Sequence, residues 1–208
     1  MRQAPRSAIA VLLAFAIPAG SRAGGDAPKQ ERPAGTIELH IGVPGLAYIG
    51  QPLQDFLKKF SKAEVTPFSG QDDAVTVKVK EAGISCIAVG HPGELKLASV
   101  GFNLDGAYEG MAESDYRTGQ GIGKGSTVND LLGVYGKPVD ILGERPRSAL
   151  RRPRPGGDPP ARQKYYYASA DGTVRTYFLV DTSRVTQVVV NDLRPLDEHI
   201  VKAPPKTN

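Results

Sequence analysis

The sequence predicts an α+β protein made of two tandem modules, each with a short helix packed on an antiparallel β-meander. Two segments share one helical pattern of apolar residues, and each is followed by short alternating segments that end at turns. There are 24 Gly and 17 Pro among the 208 residues, without a Gly-X-Y period. Such a composition is typical of a chain with many turns, and its length suits one domain or two small modules.

The first 23 residues have the pattern of a secretory signal peptide. Two arginines precede an apolar run at 8–17, and small residues occupy positions 21 and 23, where signal peptidase cleaves. This run is shorter than the about 20 residues that a membrane-spanning helix needs. We therefore expect an exported protein, periplasmic or extracellular, with no transmembrane segment in the mature chain.

The two predicted helices lie within 50–62 and 125–137. Each has apolar residues at i, i+3, i+4 and i+7, which places them on one helical face. These residues are Leu53, Phe56, Leu57 and Phe60 in the first helix and Val128, Leu131, Leu132 and Tyr135 in the second. The pattern predicts a first module at 37–110 and a second at 111–201, with a flexible linker at 24–36 and a flexible tail at 202–208.

Three strands are predicted after each helix. They span 75–80, 83–89 and 95–104 in the first module and 164–168, 173–180 and 185–191 in the second. A helix covers only one face of such a meander, so the other face is expected to stay open. Alternation places Thr176 and Phe178 on the covered side and Arg175 and Tyr177 on the open side.

A basic segment at 143–163 separates the second helix from the strands that follow it. Its arginines include Arg145, Arg147, Arg151, Arg152 and Arg154, with prolines and glycines between them. This composition is typical of a loop that cannot bury a core. One interpretation is a dispensable insertion, and the other is an electrostatic contact with nucleic acid, anionic lipid or an acidic partner.

The segment from Thr118 to Pro138, TGQGIGKGSTVNDLLGVYGKP, resembles the opening of a module found in many exported bacterial proteins. This family includes the β-lactamase inhibitor protein, which has two copies, and the small lipoprotein of the outer-membrane β-barrel assembly machine, which has one. The resemblance implies a binding module and not an enzyme. It carries over no partner-binding residue, because no such motif is matched here.

The candidate site for a protein partner is the open sheet face near Tyr166, Arg175 and Tyr177. Tyr and Arg are enriched where interfaces concentrate their binding energy. The alternative is that these tyrosines pack against a helix or the other module. No catalytic, cofactor or metal motif is found, because the glycine-rich segment 119–126 fails the phosphate-loop register and the three histidines match no zinc pattern.

We therefore predict an exported, non-enzymatic protein-binding module of the bacterial envelope, without a cofactor. Its partner is expected to be another envelope or secreted protein, and nucleic acid is not an expected partner. The alternative function is binding of an anionic polymer or lipid through the basic segment. A lone Cys86 within an apolar strand excludes an intramolecular disulfide and is expected to be buried.

Overall fold

The fold belongs to the α+β class, is mostly β, and is organised by one eight-stranded antiparallel sheet. A computed structural model describes residues 34–68, 71–105, 110–144 and 162–196. Helices α1 (Leu53–Lys59) and α2 (Val128–Tyr135) are accompanied, within the described residues, by a short 3-10 helix at Lys80–Ala82 and a helical turn at 193–196. The strands are β1 (Thr36–Ile37), β2 (Gly42–Val43), β3 (Ala47–Tyr48), β4 (Glu64–Phe68), β5 (Gln71–Val79), β6 (Ile84–Val89), β7 (Lys96–Asn103), β8 (Arg117–Thr118), β9 (Asp140–Glu144), β10 (Arg162–Ala168), β11 (Val174–Asp181) and β12 (Arg184–Asp192).

The strand order in the large sheet is β4-β5-β6-β7-β12-β11-β10-β9. In each half, a helix is followed along the chain by four antiparallel strands, β4 to β7 after α1 and β9 to β12 after α2. The two halves join where β7 pairs with β12, with Val100 opposite Val190. The result is one continuous sheet instead of two separate meanders.

Helices α1 and α2 lie on the same face of this sheet and share one hydrophobic core. Phe56 of α1 and Leu131 of α2 are buried in a cluster that also contains Phe102 and Phe178 from the sheet. Tyr135 of α2 stacks on Phe178, with ring centroids 5.6 Å apart. One core therefore runs across both predicted modules.

Helix α2 is closed at both ends by local sequence signals. The Thr127 hydroxyl accepts a hydrogen bond from the Asp130 backbone N–H, and the Asp130 carboxylate accepts one from the Thr127 N–H, which is a capping box. The chain leaves the helix at Gly136, whose φ of 69° favours glycine. Leu132 lies at the margin of the predicted apolar face and is half-exposed.

Two predicted boundaries shift in the structure. The linker was expected through residue 36, but Gly35 packs against Tyr116 and strand β1 begins at Thr36. The basic loop was expected at 143–163, but β9 extends to Glu144 and β10 begins at Arg162 because these residues pair with each other. The segment 145–161, with its five named arginines, lies outside the described residues, as do the predicted signal peptide and tail.

Two further observations bear on the predictions. Cys86 is buried as expected, and burial raises the pKa of its thiol. Among the described residues, no helix has the length and apolarity needed to cross a bilayer.

His40 links the N-terminal segment to the second half of the chain. Its backbone N–H donates to the Thr176 hydroxyl at 2.9 Å, and its ring Nδ1 lies 3.3 Å from the same oxygen. Burial lowers the pKa of His40 below its usual 6.5, although the nearby Asp171 carboxylate acts in the opposite direction. The folded state therefore binds a proton at this ring less readily than the unfolded state does.

We expect the free energy of unfolding to decrease as the pH is lowered through the titration of His40. Neutral His40 makes its full contribution to the free energy of unfolding above about pH 6.5. This contribution is lost as the pH drops through the pKa that His40 has in the folded state. His40→Asn removes the titrating ring and tolerates the left-handed φ of 65°. Urea unfolding at pH 7.5 and 5.5 should show a smaller loss of stability in this variant than in the wild type, and equal losses would contradict the assignment.

Candidate functional site

The sheet face opposite α1 and α2, here called the open face, carries the residues that the sequence predicted for partner binding. Part of this face is covered by the helical turn at 193–196, where Leu196 is buried against Ala74 and Val89. Tyr166 pairs with Tyr177 across β10 and β11, and both side chains are half-buried. Their ring centroids are 5.3 Å apart. Arg175 is exposed on the same face of β11. The structure thus brings all three predicted residues together.

The neighbouring tyrosines point the other way, as strand alternation requires. Tyr165 and Tyr167 are buried in the core, and Tyr167 makes an edge contact with Phe178. The predicted division of β11 is also found, because Thr176 and Phe178 are fully buried whereas Arg175 is exposed. Tyr166 and Tyr177 therefore do not point into the core that α1 and α2 cover.

A fourth residue joins this group. The Lys164 Nζ lies 5.0 Å from the centre of the Tyr177 ring, within the range of a cation–π contact. We call Lys164, Tyr166, Arg175 and Tyr177 the aromatic patch. Two aromatic rings in tilted contact beside two cations give this part of the open face both apolar area and positive charge, a combination that suits recognition of a protein surface.

One row of paired residues crosses the open face from edge to edge. Its members, from β4 to β9, are Glu64, Lys78, Ser85, Gly101, Val189, Tyr177, Tyr166 and Asp140. Gly101 lies near the middle of this row and leaves the backbone of β7 without a side chain. The row therefore has a depression at the centre of the sheet.

A cavity of about 460 Å³ occupies this depression. Tyr177 lines it on one side, so the cavity adjoins the aromatic patch. Its polar lining comes from Thr76, Lys78, Ser85, Ser99 and Gln187, and its apolar lining includes Phe68, Ile87, Met111 and Val189. The volume lies within the range of sites that hold small molecules.

Sequence reasoning did not identify Gly101 or Gln187. Two signals were present: an isolated glycine inside a strand often marks a close approach, and a glutamine within the run Thr186–Val190 is out of place in a buried strand. Their convergence depends on the pairing of β7 with β12, which the sequence did not reveal.

The described residues offer no constellation for metal chemistry. Within 34–68, 71–105, 110–144 and 162–196, no three His, Cys, Asp or Glu side chains are grouped so that they could hold an ion. Among these groups, Asp171 is the carboxylate whose pKa falls furthest, to about 2, because it accepts hydrogen bonds from Ser169 and Thr173. These bonds shape the turn before β11 and lie in an exposed loop.

Comparisons with known proteins identify no family for the chain. No protein-family model matches the sequence, and no curated protein is similar to it. Among solved structures, YjgB from Bacillus subtilis, a DUF4309 family protein, is similar at 13% identity and a TM-score of 0.39. The match covers 74% of this chain and 88% of that one. This similarity is too distant to carry a functional argument.

Proposed function

We propose that this chain is an exported, non-enzymatic protein-binding module of the bacterial envelope that engages its partner through the aromatic patch. The observation that carries the proposal is the tilted ring contact of Tyr166 with Tyr177 on the sheet face opposite α1 and α2. An antiparallel sheet can leave one face to solvent, but such faces usually carry alternating polar residues. Paired tyrosines there supply the rigid apolar area that interfaces use.

The charges at this site favour one kind of partner. Lys164 lies over the Tyr177 ring, and the exposed Arg175 lies two residues before Tyr177 on the same face of β11. A complementary surface therefore presents carboxylates around an apolar centre. We accordingly assign the partner as an acidic surface of another envelope or secreted protein.

The proposed organisation is a tandem duplication with modules at 37–110 and 111–201. It is supported by the shared order of elements, in which a helix precedes four antiparallel strands in each half. Export is supported by the signal-peptide pattern of residues 1–23. Both proposals agree with the sequence resemblance of the segment around α2.

Crosslinking in the native envelope tests the proposed surface. A photo-reactive amino acid at position 166 should form a specific adduct with one protein, because that side chain lies in the aromatic patch. The same amino acid at position 54, exposed on α1 at the opposite side of the sheet, should not form it. Equal adducts from both positions, or none from position 166, would refute the proposed surface.

Once the partner is purified, Tyr177→Ala should weaken binding by about 1–3 kcal/mol, because truncation removes a half-buried ring from the interface. Tyr177→Phe keeps the ring and should retain most of the affinity. Titration calorimetry measures both variants, and thermal unfolding provides the folding control. Unchanged affinity together with a stability loss of about 3 kcal/mol or more would show that Tyr177 acts as a core residue.

A further inference from the structure

Gln187 is a buried polar side chain on the open face without a hydrogen-bond partner for its amide nitrogen. It is 1% exposed, it lines the central cavity, and its Nε2 contacts no acceptor within the described part of the chain. A buried donor without an acceptor destabilises the folded state, because it has lost its hydrogen bonds to water. Such a group in a native protein calls for an explanation, such as an ordered water or a ligand.

Gly101 lies beside this nitrogen and beside the hydroxyl of Ser85. A Cβ at Gly101 would lie 3.0 Å from Gln187 Nε2 and 2.8 Å from Ser85 Oγ. Both polar atoms thus already occupy the space where a side chain at position 101 would lie. Any larger residue at this position would displace them, so the glycine keeps two hydrogen-bonding groups beside the floor of the cavity.

The charges of the lining residues define the chemistry of a ligand. Lys78 lies beside Ser85 in the neighbouring strand, and none of the described residues that line the cavity is acidic. An amide N–H, a hydroxyl and an ammonium group all donate hydrogen bonds, and together they favour an acceptor that carries negative charge. The rest of the lining includes the apolar side chains Phe68, Ile87, Met111 and Val189.

We propose that this cavity binds a small amphiphilic carboxylate of the medium-chain fatty-acid class. Its carboxylate oxygens accept hydrogen bonds from Gln187 Nε2 and Ser85 Oγ and lie near the ammonium group of Lys78. Its hydrocarbon chain contacts the apolar lining. This site is distinct from the proposed partner contact, although Tyr177 borders both.

The competing explanation is a bridging water. Asn103, which pairs with Gln187 across β7 and β12, has a buried Oδ1 that also has no partner among the described residues. One water could bridge this acceptor and the Gln187 donor. Asn103 does not line the cavity, however, so its oxygen does not oppose a carboxylate there. The two explanations differ in whether an added carboxylate binds.

Decanoate is the probe. Titrated into the full chain below its micelle concentration, it should shift the amide NMR signals of Ser85, Gly101 and Gln187 in a saturable way. Decanol should bind more weakly, and decyltrimethylammonium should not compete. Absence of saturable shifts, or equal binding of all three amphiphiles, would overturn the proposal, and the first result would favour the bridging water.

Gln187→Leu separates a ligand contact from a structural role. It keeps the side-chain volume but removes the donor, so decanoate affinity should fall at least about tenfold while the thermal midpoint stays the same or rises. Gln54→Leu, at an exposed position on α1, is the matched control and should change neither property. Wild-type affinity in Gln187→Leu would overturn the proposal.

Lys78→Met tests the charge. It should abolish the preference for decanoate over decanol while leaving decanol binding nearly unchanged, and an undiminished preference would contradict the role of Lys78. These binding results are independent of the crosslinking at position 166, because Tyr166 does not line the cavity. Failure of the ligand proposal would therefore leave the partner proposal intact, and the reverse also holds.

Discussion

Phe178→Ala is expected to lower the free energy of unfolding by about 3–5 kcal/mol. Phe178 is fully buried and contacts two other aromatic rings, Tyr135 at 5.6 Å and Tyr167 at 5.8 Å between centroids. Truncation removes the burial of one ring and leaves a cavity between helix α2 and the sheet, which cannot close without moving both. Urea unfolding measured by circular dichroism gives the value.

Val134→Ala is the control for this substitution. Val134 belongs to helix α2, which packs on Phe178, but its own side chain is half-exposed. Its truncation should therefore change the free energy of unfolding by no more than about 0.5 kcal/mol. A loss below about 1 kcal/mol in Phe178→Ala would show that the core described around α2 does not form in solution.

The second large effect concerns the two predicted modules taken apart. Fragments 37–110 and 111–201, expressed separately, should each fail to show a cooperative thermal transition. Separation exposes the edges of β7 and β12 and removes the contact between His40 and Thr176. It also breaks the parallel pair of β1 with β8, at Ile37 and Thr118. Each fragment would then expose half of a shared core.

Mixing the two fragments should restore a cooperative transition, because the missing pairing partners are present again. Amide NMR dispersion of each fragment alone and of the mixture distinguishes these states. A well-dispersed spectrum and a cooperative melt from either fragment alone would contradict the dependence on the β7–β12 junction. The intact chain is the reference for both measurements.

Local patterns predicted the elements that are amphipathic along the chain. Both helices and six strands, β5 to β7 and β10 to β12, were found close to their predicted positions. Strands β4 and β9 were missed because they form the two edges of the sheet and carry exposed apolar side chains, Val65 in β4 and Ile141 in β9. Pro67 within β4 also opposed a strand, and an edge position tolerates it.

The sequence likewise predicted one part of the candidate site, the aromatic patch, and did not predict the other, the central cavity. The open-face position of Tyr177 followed from alternation along one strand, which needs no knowledge of the neighbours. The central cavity required two strands that are distant in sequence to pair in one register, so that Gln187 leans over Gly101. A single chain without pairing information does not specify that register, since a shift of one residue would turn Gln187 to the other face.

The position of β12 has a consequence for when the protein can fold. This strand is the last of the sheet along the chain, yet it lies at the centre, between β7 and β11. A chain that is synthesised, or threaded through a translocation channel, from its N-terminus cannot complete the sheet until this strand has emerged. Until then, β7 and β11 each present an unpaired edge, and unpaired edges invite association with other chains. If the chain crosses a membrane before it folds, these two edges have to be protected by another molecule during the crossing. The late pairing of β12 keeps the chain unfolded for that passage, but at high concentration it also favours aggregation through the unpaired edges.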